Sequence, residues 1–233
     1  MPLFDELSQR VRDLAFTRWG QIPNARVLPD AGDLTFGNTG ERIEACILYA
    51  DIHRSTEMVD SLPDTMAAEY YKAFLYCAGR IIKSRDGSIQ AYDGDRVMGV
   101  FVGGRKEENA VLAAFRILYA VQEIINPTFK GASLLGYREI RHTVGIDVGP
   151  VLVAKAGVRN DKDLVWIGPA ANYAAKLNSF EGLDISYATR ITQGVYEVLP
   201  DYLLVHQEKV VWDGPYTDVG KRQHYRSKYY QEF

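Results

Sequence analysis

The amino-acid sequence predicts an α/β protein, an α+β sandwich whose ferredoxin-like βαββαβ core carries additional strands and helices. Two observations lead to it. From residue 41 onward, runs of strand character alternate with runs of helical spacing, and the series opens βαββ. Within that series the stretch AYDGDRVMGVF, residues 91–101, sets Asp93–Gly94 between two β-rich runs, the strongest short-range hairpin signal.

The elements follow in order. Phe4, Leu7, Val11, Leu14 and Phe16 recur at roughly helical spacing, and Pro23, Pro29, Gly32, Gly37 and Gly40 break up what comes next. Residues 1–40 therefore divide off as an N-terminal helix and connector, with one domain over 41–233. RIEACILYAD (42–51) predicts a strand, and the run after Pro63 predicts a helix. GSIQAY and RVMGVFV predict the two hairpin strands, followed by a helix over about 105–125. Beyond it come strands at IRHTVGIDVG, VLVAKAGV and DLVWIG, a helix from about Pro169 to Ser179, and strand signals around 184–188 and 202–213.

Composition narrows the function classes. With 233 residues, 47% of them apolar, the chain can bury the core of one generous domain. The net charge is -3 and the basic residues are scattered, so a nucleic-acid partner is disfavoured. Cys46 and Cys77 lie in apolar runs without metal-ligand spacing, and neither a leader nor a run of 18 apolar residues is present. The expectation is a soluble cytoplasmic protein with no membrane partner.

Two carboxylates stand out. Asp51 ends an apolar strand, and Asp95 opens the returning strand of the hairpin. If those strands are neighbours, both carboxylates reach one edge of the sheet, where they suit a hard cation such as Mg²⁺ or Mn²⁺ shared with phosphate oxygens. Spacing alone leaves that reading open beside a plain turn, and the turn by itself accounts for Asp93. His53, His142, His206 and His224 suggest surface or satisfied core positions.

The blocks ILYADIHRSTEM, DGDRVMGVF, VGIDVGPVLVAKAG and VWIGPAANYAAKL resemble, in order and approximate spacing, those of the class III nucleotidyl cyclase catalytic domain over about residues 41–226. The resemblance implies a head-to-tail homodimer whose active sites are each shared by two chains. It implies two divalent cations, Mg²⁺ or Mn²⁺, on Asp51 and Asp95, with Ile52 lending a backbone carbonyl. Asn172 would come from the other chain to orient ribose and reacting phosphate.

The departures from that pattern bear on the base. Members that cyclise purines carry a polar pair where this chain has Ala91 and Val165, neither of which offers a side-chain hydrogen bond. Tyr49 stands two residues before Asp51 on the same strand face, and Asp93 and Trp166 also map to base-pocket positions. The set resembles the pyrimidine cyclases of bacterial Pycsar anti-phage systems. That likeness implies UTP, or alternatively CTP, as substrate and a separate effector that senses the cyclic product. Arg96 with Asp93 or the Tyr49 oxygen would select uracil. In a regular strand, however, Arg96 points away from the face of Asp95, which would leave it a base contact only across the dimer, or none, with a surface or interface salt bridge as the alternative reading.

Lys176 stands where the family usually has an arginine, four residues after Asn172 and on the same helical face. Lys221 and Arg222 are candidates for the triphosphate tail. GPYTDVGKR around them fails the phosphate-loop spacing. A purine cyclase of loosened specificity and a catalytically silent nucleotide-binding dimer module are the rival readings.

Overall fold

The computed structural model describes residues 2–132, 136–158, 161–180 and 182–233. Helix α1 (Leu3–Phe16) leads through a connector containing the short strand β1 (Asn24–Ala25) into β2 (Glu41–Ile52), α2 (Ser55–Ser61) and α3 (Asp64–Ser84). The hairpin β3 (Ser88–Asp93) and β4 (Arg96–Phe101) precedes α4 (Lys106–Tyr119), which continues through a π-helical turn, Ala120–Ile125, into α5 (Asn126–Ala132). Then come β5 (His142–Val158), β6 (Asp161–Ile167), α6 (Pro169–Ser179), β7 (Thr189–Thr192), α7 (Gln193–Tyr196) and α8 (Asp201–Leu204). The chain closes with β8 (Val205–His206), β9 (Lys209–Val210), β10 (Asp213–Tyr216) and β11 (His224–Ser227).

Among the described residues the main sheet runs β10-β11-β7-β5-β2-β4-β3, with β1 added beside β2 and β6 beside β5. Its β5-β2-β4-β3 portion, antiparallel throughout, has the strand order of a ferredoxin-like core. The two strands expected over 140–158 are one strand of 17 residues, because Gly149 and Pro150 are carried in the ladder opposite Ala45 and Glu44. The signal at 184–188 falls just before β7, and 202–213 divides among α8, β8, β9 and the first residue of β10.

Strand β2 explains the layering. Its even residues Cys46, Leu48, Ala50 and Ile52 face the large cluster built with Tyr70, Phe74 and Ala78 of α3 and Phe115 of α4. Its odd residues Ile43, Ala45 and Ile47 face the opposite way, against Ala170, Ala171 and Ala174 of α6. Both faces are covered, which is why β2 is a nearly continuous apolar run. Helix α3 buries Ala67, Tyr70, Phe74, Ala78, Ile81 and Ile82, a stripe of helical period, and each full burial of a large side chain contributes about 2 kcal/mol. The segment Lys106–Ala132 is long and apolar enough to cross a bilayer, yet it is mostly buried as core helix.

Candidate active site

The odd face of β2 ends at Tyr49 and Asp51, beneath α6. Asp51 pairs with Thr143 of β5, whose hydroxyl donates to Asp51 Oδ1 at 2.9 Å. The side-chain amide of Asn178, in the last turn of α6, donates to Asp51 Oδ2 at 2.8 Å. Thr143 and Asn178 also touch each other at 3.1 Å, so the carboxylate rests on a linked pair of polar groups. Burial is the main influence on Asp51 and pushes its carboxyl above the usual range, while the Thr143 hydroxyl and Arg96 pull it back.

α6 reaches this face because Gly145, between Thr143 and Asp147 on the same side of β5, has no side chain. A Cβ there would lie 2.1 Å from the Ala174 carbonyl oxygen. Any larger residue would lift α6 and carry Asn178 away from Asp51. Neither Thr143 nor Asn178 was singled out from sequence; only the β2–β5 register brings them to the carboxylate.

Asp95 belongs to the two-residue turn Gly94–Asp95, with Gly94 at φ +59°, a conformation glycine adopts without steric cost. Its Oδ2 accepts from the Ile52 backbone N–H at 2.9 Å, tying the hairpin to the end of β2. Arg96 is a correction. It lies on the Asp51 side, and its Nε and Nη2 both donate to Asp51 Oδ2, at 3.2 and 3.1 Å. The last ladder pair is Ala50 with Val97, and one step further sets Arg96 opposite Asp51. Asp95 is in the turn rather than the strand, so the alternation of faces does not separate the two.

Two carboxylates thus converge from adjacent strand ends, with the backbone of Ile52 between them. Among the described residues no three of His, Cys, Asp and Glu gather into a metal cluster. The donor set is all oxygen, and Asp51 already holds a cationic side chain, so the pair fits a hard divalent cation completed by phosphate oxygens.

Of the base-pocket candidates, Tyr49, Ala91 and Trp166 pack against one cluster on this face. Tyr49 and Ala91 both pair with Met98, and the Tyr49 hydroxyl meets its sulfur at 3.2 Å. The Trp166 indole N–H is buried without a hydrogen-bond partner among the described residues. Val165 points the other way and is exposed, as is Asp93 at the end of β3. Val165 is therefore not in the cluster that gathers the other three.

Asn172 and Lys176 are exposed on α6. They share a helical face distinct from that of Asn178, which is turned down onto Asp51 of its own chain. Lys221 is exposed at φ +63°. Arg222 is committed elsewhere: Nη1 donates to Asp147 Oδ2 at 2.9 Å, and its guanidinium lies 4.2 Å from the Tyr173 ring centre. As a grip for a phosphate tail it would first have to abandon a buried carboxylate.

No family profile matches the sequence. The chain is 42% identical over 213 residues to a uridylate cyclase of Xanthomonas perforans, covering 91% of this chain and 90% of that one. It is 39% identical over 220 residues to a uridylate cyclase of Burkholderia cepacia, covering 94% and 93%. Solved structures sharing the fold include the guanylyl cyclase Cya2, with TM-score 0.67, 19% identity and coverage of 83% of this chain and 95% of that one. The adenylyl cyclase CyaB from P. aeruginosa gives TM-score 0.68 and 17% identity, covering 81% and 95%. Ordered sequence blocks, a ferredoxin-like sheet and identity of this extent lead to one conclusion: the chain belongs to the class III nucleotidyl cyclases, in the group that contains the uridylate cyclases.

Proposed function

We propose that the chain converts UTP to 3′,5′-cyclic UMP and pyrophosphate. The ribose 3′-oxygen attacks the α-phosphorus, the bond from that phosphorus to the bridging oxygen breaks, and the hydroxyl proton leaves to solvent. The convergence of Asp51 and Asp95 at neighbouring strand ends carries this reading, in a chain of this family. The pair would hold two divalent cations, Mg²⁺ or Mn²⁺, with the Ile52 carbonyl. Bound there, the cations supply a lowered hydroxyl pKa and charge neutralisation at the leaving group.

The protein's own part is positioning, which dominates phosphoryl transfer. Thr143 and Asn178 fix the Asp51 rotamer from below, and the Ile52 N–H fixes Asp95. Tyr49 offers a ring against the base, and Ala91 leaves no polar group to pair with a purine edge. Release of Arg96 from Asp51 would free a donor for the uracil O4, with Asp93 as acceptor for N3–H.

Asn172 and Lys176 stand exposed and unbound to their own Asp51. This supports a head-to-tail homodimer in which they orient ribose and phosphate on the partner's carboxylates. Lys221 remains the candidate for the triphosphate tail. A signalling role, with a separate protein that senses the cyclic product, belongs to the same reading.

Incubating the purified protein with each of the four ribonucleoside triphosphates and Mn²⁺, with products identified by mass, tests it. Cyclic UMP from UTP is expected. Cyclic CMP would keep the chemistry and change the base, whereas cyclic AMP or GMP as main product would defeat the base-pocket argument.

A further inference from the structure

Arg96 has two neighbours on the face of the sheet beneath α6. One is Asp51, whose Oδ2 accepts from both Nε and Nη2, and among the described residues Asp51 has no other salt-bridge partner. The other is Tyr49: burial lifts its hydroxyl above the usual range, and the Arg96 charge draws it back. The ladder explains this double neighbourhood. Tyr49 and Asp51 are two residues apart on β2, about 6.7 Å along the strand. Met98, two residues after Arg96 on β4, stands opposite Tyr49. A guanidinium on its flexible stem spans that step by turning about its own side-chain bonds, with the backbone at rest.

The contact with Asp51 is the one that a metal ion must undo. A carboxylate has about four acceptor sites, and the Thr143 hydroxyl, the Asn178 amide and Arg96 already engage both oxygens. Thr143 and Asn178 are neutral and bonded to each other as well as to Asp51, so neither conflicts with a cation. Arg96 does. A cation on Asp51 either takes its place or binds beside a fixed positive charge. The pair yields readily, because the Arg96 side chain is 37% exposed and water screens it.

We infer that Arg96 is a stand-in cation with two resting places: one on Asp51, where it is seen, and one toward Tyr49 and the base, taken up when a metal ion claims the carboxylate. The inference rests on the metal and base assignments of the proposed function and adds a coupling between them. Metal and base each favour the released arginine, so each strengthens the binding of the other, and by the same factor. An arginine that merely oriented Asp51 would act in the opposite sense, its removal weakening the metal.

Mn²⁺ titration followed by electron paramagnetic resonance, on the full wild-type chain and on Arg96→Gln, tests the exchange without turnover. Arg96→Gln should bind Mn²⁺ alone about fivefold more tightly than the wild type, the low end of couplings between sites. The titration is then repeated with saturating 2′,3′-dideoxyuridine, which has neither phosphates nor a 2′- or 3′-hydroxyl to offer a metal. It should tighten Mn²⁺ binding about fivefold in the wild type and leave Arg96→Gln unchanged. Mn²⁺ binding by Arg96→Gln that is weaker than or equal to that of the wild type would overturn the exchange while leaving the metal site standing. Bound dideoxyuridine that leaves the wild-type affinity for Mn²⁺ unaltered would overturn it as well. A wild type that binds Mn²⁺ no better than Asp51→Asn would defeat the metal assignment and the exchange together.

Discussion

Asp51 and Asp147 are two carboxylates built from nearly the same parts and set in different surroundings. Each lies on the face of the sheet beneath α6, each accepts from a threonine hydroxyl (Thr143 at 2.9 Å, Thr192 at 2.5 Å), and each meets an arginine. Burial lifts both carboxyls above their usual range. The difference is access. Asp147 lies mid-strand, 1% exposed, with the Val148 N–H and Arg222 completing its acceptor sites. Asp51 lies at a strand end, where its side chain keeps 15% exposure beside a second carboxylate that pairs with no arginine among the described residues. A saturated buried carboxylate is an anchor; one left at a sheet edge with a displaceable cation can be given to a ligand.

The largest expected effect breaks that contrast on its functional side. Asp51→Asn or Asp95→Asn should lower cyclic nucleotide formation by about a thousandfold or more while circular dichroism shows an intact fold, since charge stabilisation is what the proposed site would supply. Near-normal rates in either variant would remove the metal assignment. On the structural side, Asp147→Ala strands Thr192 and the Val148 N–H, and should cost about 3 kcal/mol of stability in a denaturant titration. The folded fraction should keep activity within about threefold.

The supporting pair comes next in size. Asn178→Ala and Thr143→Val remove hydrogen bonds that orient Asp51, and partners of that kind are worth about 10-fold to 100-fold in metal affinity or activity. Mn²⁺ titration followed by electron paramagnetic resonance should show the weakened affinity directly, without turnover. Unchanged Mn²⁺ binding would reduce the two residues to packing.

The smallest effect is in pH. Because the folded state holds the Asp147 proton more tightly than the unfolded chain does, this group favours folding fully below the ordinary carboxylate value of 3.8. That contribution declines as pH rises through the folded-state value. Asp147→Asn should therefore show a shallower loss of melting temperature on going from acid toward neutral pH than the wild type, whatever its absolute stability. A slope equal to that of the wild type would mean that the carboxyl titrates normally.

How much of this was legible in the sequence depends on how local each signal is. Asp51 and Asp95 could be paired because an apolar strand stops at one and an Asp-Gly turn adjoins the other, and both marks survive any choice of neighbouring strand. Thr143 and Asn178 carried no such mark, since their role exists only through the β2–β5 register and the rotation of α6 over Gly145. Arg96 was placed on the wrong side by assuming that Asp95 lay within the strand. Moving Asp95 one position, into the turn, brings both residues to the same site. Arg222 looked available because its partner Asp147 is 75 residues away. The helix α1 was legible as an element, whereas the exposure of its apolar residues emerged only from the fold.

The central claim is that carboxylates of one chain work with Asn172 of another, and mixing two dead variants tests it most directly. Asp51→Asn and Asn172→Ala proteins, each inactive alone, should regain activity when dissociated and reassembled together. Random pairing leaves one intact site in half of the dimers, about a quarter of the wild-type sites. A mixture as inactive as its components, with heterodimers demonstrably formed, would contradict the shared site.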